Sequence, residues 1–318
     1  MTPSNNTWYV IVNPHSGSGK TMSLWSEAQH KLDALGIDYQ AILTNHKSHA
    51  TSLASAAARQ GYRRILAVGG DGTLHEVFNG VLHWCREAGG NPEDFYLGVA
   101  PIGSGNDWIK SLGVPNDIDA VIDLISSGSF VREDVVRIES EGGGVCYMAN
   151  IGGVGFDSRV CERVNRLKEA GHRSRMIYLN ALRHTIFHAR PFQVLISTDG
   201  RELFQGPCYS VAFGNGQYSG GGMRQVPLAR MDDGLLDVMV VPKLPLGTIV
   251  KSLPRLFSGD LHKVEGLLYV QCREVSLAPL DKDSAELLEV DGEIEARLPV
   301  RLVMTGRQIN VIARPERV

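Results

Sequence analysis

Nowhere does this chain of 318 residues offer the ~18 consecutive apolar residues that a helix needs to cross a bilayer, so membrane contact is expected only at a surface. Cysteine is scarce. Cys85, Cys146, Cys161, Cys208 and Cys272 are scattered and odd in number, the usage of reduced thiols in a cytosolic protein rather than of a disulfide framework. There is no basic excess either: the formal net charge is −3, and neither a basic tail nor a zinc-ligand spacing occurs, which argues against a nucleic-acid partner. No internal repeat and no low-complexity linker interrupts the chain, and Met1 to Thr7 is short and polar, so no signal peptide is expected.

What is present is the composition of an ordinary globular protein, at a length that usually makes two domains. Strand-like runs at 8–12, 39–43, 64–68 and 96–100 alternate with helical patterns near 22–35, 49–60, 73–87 and 118–126. Such alternation predicts a Rossmann-like parallel α/β domain, with ligands at the carboxyl ends of its strands. From about Phe130 the pattern changes to short β-like runs at 130–138, 145–151, 192–197, 209–213, 236–241, 268–272 and 296–305. They predict a C-terminal antiparallel β-sandwich domain. The expected boundaries are 1–129 and 130–305, with 306–318 a candidate to pack back on the first domain.

Three polar, glycine-bearing turns follow strands in the first part. Gly69-Gly70-Asp71-Gly72-Thr73 follows Ile65 to Val68 and opens an amphipathic stretch. Glycines there let backbone N–H groups approach a polyanion, and the helix start adds its own donors. Asp71 would repel bare phosphates, so the run points to a metal-bound nucleoside triphosphate; the alternative is that Asp71 caps the helix. The turn Asn13 to Thr21 ends in GKT but is no P-loop, because Pro14 stands where the first glycine is required. Its Ser16 to Gly19 backbone and Lys20 either contact phosphate or form a solvated loop with a helix cap. Pro101 to Trp108 repeats the chemistry, with Ser104, two glycines and Asp107.

In order and spacing, NPHSGSGK, GGDGTLHEVFNG and PIGSGNDW resemble the diacylglycerol kinase catalytic domain superfamily, which includes bacterial soluble lipid kinases of the YegS and DgkB type and the sphingosine and ceramide kinases. GNGQYSGGGM, VPLARMDDGLLDV and EVDGE are similar to its later motifs, so the resemblance spans nearly the whole chain. GGDGT alone is shared with NAD kinases and phosphofructokinases.

The resemblance implies ATP held by Asn13, Pro14, His15, Ser16, Gly17, Thr44, Gly69, Gly70, Asp71, Gly72, Thr73, Leu74 and Ser104, the last standing where many members have threonine. Asp71 and Asp107 are implied to hold a hydrated Mg²⁺. For the DDG run at Asp232 there are two readings: a hairpin turn, and a structural magnesium bound by Asp233 with the carbonyls of Arg230 and Leu235. Glu293 is implied as the proton acceptor, with Asp291 on the same strand face if the segment is extended, and Asp71 as the alternative base.

The expected activity is transfer of the γ-phosphate of ATP to a lipid hydroxyl, on diacylglycerol, a sphingoid base or ceramide, or phosphatidylglycerol, by a cytoplasmic enzyme peripheral to the membrane, with a homodimer as a candidate assembly. A kinase of a soluble acceptor such as NAD and a non-catalytic lipid-binding module are the alternatives. Arg159, Arg163, Arg166, Lys168, Arg173, Arg175, Arg183 and Arg190, with Val160, Val164 and Leu167 at helical spacing among them, form either a face for anionic lipid or a solvated face over a core stripe.

Overall fold

The computed structural model describes residues 6–19, 21–102, 105–169, 176–281 and 286–314. Its chain divides into two compact units, 1–135 with 306–318, and 136–305.

The first unit begins β1 (Trp8–Val12), α1 (Thr21–Ala34), β2 (Tyr39–Leu43), α2 (His49–Arg59), β3 (Arg64–Gly69), α3 (Asp71–Ala88) and β4 (Tyr96–Pro101). The short α4 (Asp107–Ser111), α5 (Ile118–Ser127) and β5 (Phe130–Ser140) follow, and β5 runs on into the second unit. Its strands pair in parallel in the order β2-β1-β3-β4, with Val12 level with Leu43 and Val68, and Val68 level with Ala100. Every residue of β1 is buried, as a central parallel strand covered on both faces requires.

Two close approaches fix this unit. A side chain at Gly80 of α3 would meet the Thr51 carbonyl at 2.3 Å and Ala54 Cβ at 2.8 Å, so only glycine lets α2 and α3 pack at this distance. Glu76, one turn earlier, accepts the N–H groups of Ser48 and Ala50, both at 2.9 Å, and so caps α2 from a neighbouring helix.

The second unit contains β6 (Val145–Met148), β7 (Ile151–Gly155), α6 (Phe156–Glu169), α7 (Met176–Phe187), β8 (Phe192–Thr198), β9 (Arg201–Gly214), β10 (Tyr218–Ser219), β11 (Met223–Arg224), β12 (Leu236–Pro242), α8 (Leu246–Ser258), β13 (Leu268–Cys272), β14 (Glu274–Pro279), β15 (Leu287–Val290), β16 (Glu293–Arg297) and β17 (Val300–Ile312). Within it the pairing is antiparallel: β9 pairs with β8, β7 and β12, and β15 joins β7 to β16. Strand β17 pairs with β14 through its first residues and from Gly306 runs on as part of the first unit, where Asn310 and Val311 pair in parallel with β4 and Ile312 fills the space that Gly98 leaves.

Alternation along β9 and β12 sorts two layers. Val211, Phe213, Leu236, Val238 and Val240 enter the main core, whereas Ala212 and Met239 face a second cluster that meets α8 through Leu256.

The α/β and antiparallel β character expected for the two parts is what the fold has, but several element limits differ. The run 145–151 breaks at Ala149 and Asn150, because their N–H groups turn to a carboxylate instead of continuing the ladder. The run 296–305 divides between β16 and β17 at Pro299, which has no N–H for a ladder. Helices α7 and α8 lie in the part read as β, and α8 carries Pro254 inside it.

Gly80→Val should lower stability by about 1–3 kcal/mol by forcing α2 and α3 apart. Urea unfolding measures it, and an unchanged midpoint would show that the helices can part at no cost.

Candidate active site

The parallel register of β1, β3 and β4 brings the turns after Val12, Val68 and Pro101 to one edge of the first unit. The first two turns touch. Asn13 Nδ2 donates to Thr73 Oγ1 at 3.1 Å, and a Cβ on Gly69 would lie 2.4 Å from that oxygen and 3.2 Å from Ser16 Oγ. Gly17, at φ 59°, lies so close to Ile102 that a Cβ would meet its carbonyl oxygen at 2.5 Å. Asn13 Oδ1 accepts the His15 N–H at 3.0 Å, which rounds the turn over Pro14. Thr44 is buried, and its N–H reaches the Val12 carbonyl at 2.9 Å.

Gly70, not Asp71, is the N-cap of α3, and it has no side chain to bond the first turn. The capping alternative for Asp71 is therefore corrected: Asp71 is the first helical residue, and its Oδ1 accepts the Trp108 N–H at 3.4 Å. The N–H groups of a helix's first turn, Gly72 among them, have no carbonyl within the helix to bond. The N–H groups of Thr73 and Leu74 are both taken by the Gly70 carbonyl, at 3.0 and 3.2 Å, and the Leu74 side chain is core. A Cβ on Gly105 would lie 3.0 Å from Asp71 Oδ2 and 3.6 Å from Asp107 Oδ2, so both carboxylates converge on this glycine. Asp107 also pairs with Lys110 at 2.5 Å. Ser104 and Lys20 lie outside the described residues.

In the second unit, Asp291 and Gly292 have φ of 51° and 93° and form the two-residue turn between β15 and β16. The expectation of an extended segment with Asp291 and Glu293 on one face is corrected by this geometry. Asp291 accepts the N–H groups of Ala149 at 2.9 Å, Asn150 at 2.9 Å and Ile151 at 3.1 Å. Both of its oxygens are thereby engaged in pinning the hairpin to the head of β7, a positioning role. Glu293 opens β16 beside it, half-buried.

The run at Asp232 is also not a hairpin, since Met231 belongs to no strand. Asp233 Oδ1 accepts the Leu235 N–H at 3.0 Å in a turn that leads into β12, and the Arg230 guanidinium pairs with Asp232 at 3.2 Å. Among the described residues no three His, Cys, Asp or Glu side chains cluster as a metal site.

Sequence reasoning missed the pocket of this unit. It lies on the Ala212 and Met239 side of β9 and β12, walled by Phe156, Ile186, Leu253 and Leu256, and it is almost wholly apolar. The charged residue of its lining is Asp157, which accepts from two polar lining residues, Ser210 Oγ at 2.7 Å and Gln225 Nε2 at 2.6 Å. Burial raises the Asp157 pKa, against the pull of those two hydrogen bonds. Asp237, in β12, is raised by burial as well, opposed by hydrogen bonds from Tyr269 and Gln271. Asp157 packs against Gly153 of β7, the residue level with Glu289 of β15, so the pocket's polar end is one strand from the Glu293 hairpin. No periodicity signals this, because α7 and α8 close the pocket from distant sequence.

The face of α6 is settled in part. Val160 and Val164 pack with Ala181 and Leu182 of α7, and Arg159 pairs with Glu286 at 2.5 Å. The apolar stripe is core, while Arg173 and Arg175 and the side chain of Lys168 lie outside the description.

Residues 7–138 match the diacylglycerol kinase catalytic domain, and residues 150–313 the YegS C-terminal NAD kinase beta sandwich-like domain. The chain belongs to this diacylglycerol kinase family of lipid kinases and is an enzyme of that class. Diacylglycerol kinase of Staphylococcus aureus strain bovine RF122 / ET3-1 is 27% identical over 314 residues, covering 96% of this chain and 91% of its own. The diacylglycerol kinase of Staphylococcus carnosus strain TM300 is 26% identical over 302 residues, covering 95% and 93%. A crystal structure of a Bacillus anthracis str. Sterne diacylglycerol kinase shares the fold with a TM-score of 0.73 at 21% identity, over 99% of this chain and 100% of that one. No described helix is long and apolar enough to cross a membrane.

Because Asp157 and Asp237 hold their protons more tightly folded than unfolded, their contribution to stability should be greatest below the ordinary carboxylate range and fall as pH rises from there through their folded pKa values. Urea midpoints measured across that range test it: Asp157→Asn should flatten part of the fall, and an unaltered slope would remove Asp157 from the account.

Proposed function

We propose that the protein transfers the γ-phosphate of ATP to a hydroxyl of a diacylglycerol-like lipid. The observation that carries this is the apolar pocket whose polar end at Asp157 lies one strand from the Glu293 hairpin. A lipid tail in the pocket leaves its hydroxyl toward that hairpin, as acceptance of a proton by Glu293 requires. Both curated relatives bear the name diacylglycerol kinase, which supports this acceptor class.

The turns at Asn13, Gly69 and Gly105 of the first unit are the phosphate-binding turns in this reading. Gly69 and Gly17 let these turns close against Thr73, Ser16 and Ile102, Asn13 holds Thr73, and the start of α3 supplies first-turn N–H groups such as that of Gly72. Asp71 and Asp107 fit a hydrated Mg²⁺, because their hard oxygens converge on Gly105 where no side chain intrudes. Bound with the nucleotide, the ion would neutralise charge on the β and γ phosphate oxygens. Glu293 takes the proton; Asp291 holds the hairpin that carries it. Asp71 is the alternative base, favoured by its place at the head of α3 beside Asp107. A second, structural Mg²⁺ belongs at Asp233 with the carbonyls of Arg230 and Leu235, on the turn into β12.

Incubation with radiolabelled ATP and either a total lipid extract or NAD tests the reading: label should enter lipid and not NAD, and label in NAD alone would overturn it. Glu293→Gln and Asp71→Asn should each cut turnover by about 10²–10⁴-fold with the unfolding midpoint unchanged, whereas near-normal turnover in both would remove the assignment. Asp233→Ala should lower the magnesium-dependent part of thermal stability, and an unchanged melting response to magnesium would exclude the structural ion.

A further inference from the structure

Helix α8 is apolar on two faces. Ile249, Ser252, Leu253 and Leu256 line the pocket. On the adjoining, solvent-facing side Val250 and Phe257 stand at i and i+7, 40% and 57% exposed, with exposed Pro254 between them. Lys251 and Arg255, both exposed, border the edge of this stripe away from the pocket, and the helix contains no acidic residue. The patch continues past the end of α8. Arg224 lies against Gly259 and donates to the Pro227 carbonyl at 3.1 Å, so the next residue, Leu228, which is 51% exposed, is a neighbour of the helix end. In the loop that follows, Asp260 is neutralised by Lys263 at 2.6 Å, which leaves Glu265 as the acid there.

An exposed phenylalanine alone needs no explanation, but an apolar stripe bordered by cations along a helix is the pattern of interfacial membrane binding. We propose that the Val250–Phe257 face of α8 docks on an anionic lipid bilayer. Its charge selects the occupant: Lys251 and Arg255 sit where anionic head groups meet the edge of an inserted apolar face. The inference rests on the lipid kinase reading for its purpose, since the same helix walls the proposed tail pocket. A lipid in the docked leaflet would then lie beside the helix that walls that pocket. Pro254 suits the interface, because it offers the Val250 carbonyl no N–H and water or head groups remain at hand there.

The test is sedimentation of the full chain with vesicles of phosphatidylcholine containing phosphatidylglycerol, and with vesicles of phosphatidylcholine alone. Wild type should bind the anionic vesicles, and weakly or not at all the neutral ones. The pair Val250→Asp with Phe257→Asp should reduce binding at least about tenfold. Lys251→Glu and Arg255→Glu should each reduce it about fivefold at low salt and little at high salt. These side chains line neither the pocket nor the phosphate turns, so turnover of a water-soluble short-chain diacylglycerol should be unchanged in every variant. If the aspartate pair does not fold, the charge variants decide. Wild-type vesicle binding in the variants would overturn the proposal. So would a dimer, seen by sedimentation velocity, that the aspartate pair dissociates while vesicle binding persists, since a second copy would then be the occupant. Vesicle binding without turnover of any lipid would instead sink the kinase reading and leave the docking face standing.

Discussion

Strand register is the constraint on which both units depend. In the first, hydrogen bonding in parallel sets Val12, Val68 and Ala100 at one level, so turns far apart in sequence leave the sheet together. A slip of one residue would reverse every buried side chain of β1 and β3, and both strands are covered on both faces, which leaves no exposed side to receive them. Contact between Asn13 and Thr73 follows from that level, as does the crowding of Gly17 against Ile102. In the second unit the same rule works by alternation: β9 and β12 send one set of residues into the sandwich and the other toward α8 and the pocket.

Around these ladders, single polar side chains do the work of fixing loops. Glu76 and Asp291 are both acids within recognisable motifs, yet each is engaged with backbone N–H groups of a distant segment. Such charge-assisted bonds suit buried or half-buried turns, where an unmade backbone hydrogen bond is costly. Asp71 takes such a bond from Trp108, and Asp107 pairs with Lys110. The acidic residues of one motif thus differ in what engages them, and spacing alone does not tell them apart.

Much of the first unit could be read from the chain. The apolar strands and their intervening helices are local patterns, and the turn glycines declare themselves by composition; β1 and β2 coincide with their expected limits. The second unit was legible as β but poorly divided. Ala149 and Asn150 have ordinary strand neighbours, and the chain turns there because Asp291, about 140 residues on, takes their N–H groups. Helix α8, with a proline inside it, was unreadable for a similar reason: the pocket and the cluster on the far side of β12 stabilise it, not its propensity.

The sequence by itself determined the family, the two kinds of architecture and the glycine-rich turns, because these rest on short-range periodicity and on backbone freedom that only glycine has. Tertiary structure alone decided that Asp291 pins the hairpin that carries Glu293, that Asp71 and Asp107 converge on Gly105, and that Asp157 ends an apolar pocket. Each of these depends on which distant backbone or side chain fills the space around a carboxylate, and that space exists only once the strands have paired.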